Sequence, residues 1–141
     1  SLHSKTTTQI TVCGQFFPRK EKLAFAISDG GHGMRVSYAK WSGNDIGPSH
    51  AINWAMQDQS TSRIGDIPGG LGLALIREFI ALNGGQLVVA SDAGYWCQEG
   101  PRVTMADMRV AFPGTSVVLE IDCTDTKQYD VNHSANPHDI W

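Results

Sequence analysis

Asp29 closes the apolar run FAIS at positions 25–28 and is followed by Gly30, Gly31, His32 and Gly33. A carboxylate only accepts hydrogen bonds, so at a strand end it can take one from an amine donor such as an adenine N6. Glycines at 31 and 33 leave bare backbone against which a flat ring can lie. A second group, Gly69, Gly70, Leu71 and Gly72, leads into the apolar stretch LALIREFIAL at 73–82. Glycine-rich chain entering a helix presents unpaired N–H groups and the positive end of the helix dipole, an anion site suited to phosphate. The pattern is neither GxxxxGK[ST] nor a GxGxxG following a first strand. A third pair, Gly114-Thr115, precedes SVVLEID at 116–122 and could add a hydroxyl near the Asp29 carboxylate.

Positioning these groups takes a definite set of elements. The alternating, β-branched TQITVC at 8–13 and the apolar LAFAIS at 23–28 read as two neighbouring antiparallel strands. Residues 30–47 read as turn-rich, and Pro48 opens a short helix with an apolar face at Ala51, Ile52, Trp54 and Ala55. Residues 35–68 together read as one long connection carrying that helix, a length usually tied to function. The clearest helix lies over 68–85. Leu71, Leu75, Ile76, Phe79 and Leu82 form its stripe, and Asn83, Gly84 and Gly85 stop it. QLVVAS at 86–91 reads as a strand and 94–97 as a short one, with 98–106 an excursion. A final hairpin runs over 107–112 and 116–122 about Pro113-Gly114. The order β-β-α-α-β-β-β-β implies an α+β, two-layer sandwich, with helices on one face of a mixed, mostly antiparallel sheet.

Composition narrows the function classes. With 141 residues, 41% hydrophobic and 18% charged, the chain fits one globular domain. A net charge of −3 with 11 scattered Lys and Arg argues against nucleic acid. No apolar run approaches the roughly 20 residues that span a bilayer. Cys13, Cys97 and Cys123 are widely spaced, without metal-ligand spacing, and read as buried free thiols in a reducing, cytoplasmic setting. His32, His50 and Arg63 read as solvated side chains, and Trp54 and Trp96 as packing residues.

The three glycine-marked boxes, in this order and with a lid-sized gap, resemble the ATP-binding domain of the GHKL superfamily. That superfamily includes sensor histidine kinases, gyrase-type topoisomerases, a class of heat-shock chaperones and MutL-type proteins. DGGHG resembles its first box, GGLGLALIREFIALNGGQLVVAS the glycine-rich box in its histidine-kinase form, and GTSVVLEI the last. The resemblance covers roughly residues 5–123 and implies the Bergerat ATP-binding fold over 1–123, with 124–141 a polar tail. It implies that Asp29 binds the adenine amino group and that Gly31 and Gly33 shape the adenine pocket. Gly69, Gly70, Leu71 and Gly72 would lie by the phosphates. Thr115 would support the adenine site, and 35–68 would form the ATP lid.

The superfamily also has a helix before the first strand, bearing an Asn that holds Mg²⁺. In histidine kinases that helix often ends Asn-Ala-x-x-His-Ser, and this chain opens with His3-Ser4. The resemblance therefore implies a magnesium ligand about four residues before His3, outside the chain. It also implies a patch of sheet left uncovered, which could promote dimerisation. The expected ligands are ATP or ADP, with Mg²⁺ for the full-length domain. The expected setting is a bacterial signalling or regulatory protein whose reaction is phosphoryl transfer, with this chain alone inactive and no catalytic residue assigned in it. The competing expectation is a degenerate, anti-sigma-like Bergerat module that contacts a regulatory protein partner with little or no nucleotide turnover.

Overall fold

The computed structural model describes residues 9–57 and 70–125. Gly69, Arg63, the rest of 58–68 and the tail beyond 125 lie outside them. The elements are β1 (Ile10–Phe17), β2 (Lys22–Asp29), α1 (Gly33–Ser42), α2 (Pro48–Ala55), α3 (Gly70–Asn83), β3 (Gln86–Glu99) and β4 (Arg102–Asp122). The result is an α+β arrangement, three helices and one four-stranded sheet of order β1-β2-β4-β3. Every pairing in that sheet is antiparallel, so the expected mixture of directions is absent from the described strands.

Partners opposite one another in an antiparallel pair share a face. The register therefore lays apolar rows across the sheet. Val12 faces Ile27, Ile27 faces Val117, and Val117 faces Val89; Phe25, Leu119 and Leu87 form the next row. Helix side chains pack on the β3–β4 half of this face. Ile52, Met56, Ile80, Leu87, Val89 and Trp96 form the buried cluster, with Met34, Ile76 and Phe79 against it. Each such side chain contributes about 1.5–3 kcal/mol by leaving water. Arg77 ties three elements together. Its guanidinium donates to the Gln98 side chain and the Met56 carbonyl, and lies 5.2 Å from the centre of the Trp96 ring. Trp96 in turn donates its indole N–H to Asn53.

The β1–β2 half of the same face is different. Ile10, Val12, Phe16, Phe25 and Ile27 are exposed, Ile10 and Val12 by 68% and 62%. A wholly apolar groove of about 190 Å³ runs between Val12, Phe25 and Ile27 on one side and Ile76 and Leu87 on the other.

Two local readings change. Residues 33–42 are helical, so the segment before residue 58 carries two helices and not one. No residue of α1 is buried. It is held by Met34, half-buried against the core cluster, by ring contacts of Tyr38 and Trp41 with Trp54, and by Gly43, whose N–H closes on the Ala39 carbonyl. The second change concerns 98–122. The chain reverses at Gly100-Pro101, between the paired Glu99 and Arg102, and β4 then runs unbroken through Pro113-Gly114. Ser91 pairs with Thr115 while Asp92 pairs with Phe112, so Pro113 and Gly114 are extra residues in a bulge.

Candidate functional site

On the helix-bearing face one row is polar across β2, β4 and β3. Asp29 of β2 faces Thr115 of β4, and Thr115 faces Ser91 of β3. This row follows directly on the apolar Ile27–Val117–Val89 row and lies on the same helix-bearing face. The alternation that buries Val89 also buries Ser91, which is 1% exposed.

The Asp29 carboxylate is oriented by two backbone donors on one oxygen. Gly31 N–H donates to Oδ1 at 2.9 Å, an Asx turn, and Thr115 N–H donates to the same atom at 3.3 Å. Among the described residues Oδ2 carries no hydrogen bond, and Asp29 is half-buried. A carboxylate pinned at one oxygen with the other unused is a fixed acceptor for an amino donor.

The hydroxyl of Thr115 is engaged on the β3 side. It shares a hydrogen with Ser91 at 2.9 Å, and Ser91 Oγ also accepts from Met34 N–H at 2.8 Å. Two glycines make the arrangement sterically possible. Gly33 has φ +82°, and a Cβ there would lie 3.0 Å from Ser91 Oγ. Gly114 has φ +100°, and a Cβ there would collide with the Asp29 carbonyl oxygen.

Asp29, Gly31, Gly33 and Thr115, four of the residues singled out by sequence, thus come together. Gly70, Leu71 and Gly72 form the first turn of α3, a separate element, and Gly69 lies outside the described residues. Ser91 was missed as a site residue. Its signal was the period-two pattern Leu87, Val89, Ser91, which puts a hydroxyl where a core side chain is expected. His32 and His50 are exposed, as read from sequence, and the His32 ring reaches Ser37 Oγ at 3.1 Å. Of the thiols only Cys97 is buried; Cys13 and Cys123 are exposed because they sit on the edge strand and just past the end of β4.

Beside the row, Arg35 of α1 donates to both oxygens of Asp45 and to Asp92, at 3.0, 2.9 and 3.4 Å. The hydrogen bond from Arg35 holds the Asp45 carboxyl below the usual range, helped by the Ile46 N–H. Asp107 is likewise lowered, by the side-chain and backbone donors of Ser49 at the start of α2.

Among the described residues no group of three His, Cys, Asp or Glu could hold a metal ion. No helix among them is long and apolar enough to cross a membrane. No protein-family model matches the chain, and no curated protein matches it.

Proposed function

We propose that the chain is the ATP-binding domain of a histidine kinase-like ATPase with the Bergerat fold, from a cytoplasmic signalling or regulatory protein of bacterial type. The observation that carries this reading is the Asp29 carboxylate, clamped by Gly31 and Thr115 at Oδ1 and open at Oδ2. In this reading Oδ2 accepts the adenine amino group, and the ring lies against the backbone at Gly31 and Gly33. In this reading the first turn of α3, opened by Gly70 and Gly72, offers backbone N–H groups and the helix dipole to the phosphates. The uncovered rows at Val12, Phe25 and Ile27 are an apolar seat for the additional helix that the family places before its first strand.

That same exposed face favours the second reading, a Bergerat-type module whose task is protein contact. Titration of an ATP analogue with and without Mg²⁺ separates the two. It is run on this chain and on a polypeptide extended upstream through the expected helix. Saturable binding supports the nucleotide reading, and its absence from the extended polypeptide sinks it. Retention of one protein partner, insensitive to ATP, supports the second.

A further inference from the structure

We propose that Ser91 is a positioning residue for the nucleotide site, one that fixes the Asp29–Met34 loop and thereby the acceptor that reads the base. The inference rests on the nucleotide reading above and adds to it a residue that touches neither base nor phosphate.

The loop from Asp29 to Met34 contains three glycines, so ordering it costs more conformational entropy than ordering most segments of that length. It is pinned at both ends through the sheet. At one end Asp29 Oδ1 accepts from Thr115 N–H; at the other, Met34 N–H donates to Ser91 Oγ. The Thr115 and Ser91 hydroxyls, 2.9 Å apart, join the two pins. The hydrogen bonds and the intervening chain thus form one closed ring. A serine hydroxyl has one proton and two lone pairs, so it can accept from Met34 and still bond to Thr115. Ser91 is buried, and removing its hydroxyl takes from the Met34 N–H the side-chain acceptor that holds it to β3. Gly33 approaches the same hydroxyl closely, and a Cβ there would lie 3.0 Å from it.

The test compares ATP with purine riboside triphosphate, which lacks the 6-amino group. Wild-type protein is expected to prefer ATP by about tenfold or more, the effect of one charge-assisted hydrogen bond. Ser91→Ala is expected to remove most of that preference while leaving purine riboside triphosphate affinity unchanged. Amide exchange at Met34 should become faster in the same variant. Thr115→Val keeps the backbone donor to Asp29 and deletes the hydroxyl, so it should lose the preference too. Combined with Ser91→Ala it should add nothing further. If Ser91→Ala does not fold, Ser91→Cys, which fills the same space but is only a weak acceptor, takes its place. An equal loss for both nucleotides marks Ser91 as merely structural and overturns the proposal, as does an unchanged preference. Wild-type protein that binds neither nucleotide overturns the nucleotide reading and this proposal together, and wild-type protein that binds both equally overturns Asp29 as the group that reads the base, and this proposal with it. Preference retained in Ser91→Ala overturns only the role of Ser91.

Discussion

Thr115 donates its backbone N–H to Oδ1 of Asp29 across 3.3 Å, joining residues 86 positions apart. The bond is possible because β4 does not turn at Pro113-Gly114. It bulges there, and Gly114 lets the backbone of β4 close against the Asp29 carbonyl.

Gly114→Ala should therefore be among the most destabilising single-methyl additions in the chain. Positive φ and a backbone collision act together, so a loss of about 2–4 kcal/mol is expected. Gly30 is a control, since a Cβ there meets nothing within 4 Å. Gly30→Ala should change stability by less than about 0.5 kcal/mol. Urea unfolding of both variants checks the contrast, and equal effects would contradict the bulge.

Acid should act first on α1 and α2. Asp45 and Asp107 have carboxyls lowered in the folded state by their donors. Their contribution is present above the ordinary aspartate value of 3.8 and is lost as pH falls through the lower native values. Fluorescence of Trp41 and Trp54, which sit on these helices, should shift below about pH 4 before far-ultraviolet strand signal is lost. Asp45→Asn should weaken the pH dependence. A spectrum unchanged from pH 5 down to the acid unfolding transition would contradict this.

The core prediction concerns Ile52, fully buried in α2 against the sheet. Ile52→Ala should cost about 2–5 kcal/mol through lost burial and the cavity left behind. Chemical denaturation measures it. A cost under about 1 kcal/mol would mean that α2 is not seated on β3 as described.

The uncovered rows should bind a hydrophobic dye in the native state. Val12→Ser combined with Ile27→Ser should reduce dye fluorescence and any self-association seen in sedimentation, with circular dichroism unchanged. Dye binding that does not respond to these substitutions would locate the apolar surface elsewhere.

Much of this fold was legible in the sequence because strong patterns drove it. The β1–β2 pair, the Pro48 helix start and the Gly84 stop of α3 follow from periodicity and backbone chemistry; of the stripe expected on α3, Ile76 and Phe79 do pack on the core, but Leu82 is exposed and the fully buried residue is Ile80. Gly84 has φ +78° and its N–H closes on the Ile80 carbonyl. α1 was not legible, since a helix without buried residues has no apolar stripe to read. Pro113-Gly114 looked like a reversal because that dipeptide usually marks one. Here the positive φ serves a close contact with Asp29, which only the sheet register reveals. The clustering of Asp29, Gly31 and Gly33 was legible because carboxylate and glycines adjoin in sequence. Ser91 was not, because its partners Met34 and Thr115 lie 57 and 24 residues away.

The most direct measurement is calorimetric titration of an unhydrolysable ATP analogue into wild-type and Asp29→Asn protein. Asparagine keeps the size of the side chain and an acceptor for Gly31 and Thr115, but removes the carboxylate charge and puts an amide donor at one of the two positions. Saturable binding by the wild type, weakened about 10- to 100-fold in Asp29→Asn with the melting temperature little changed, is the predicted result. Equal affinity in the two proteins would contradict the assignment of Asp29 as the group that reads the base.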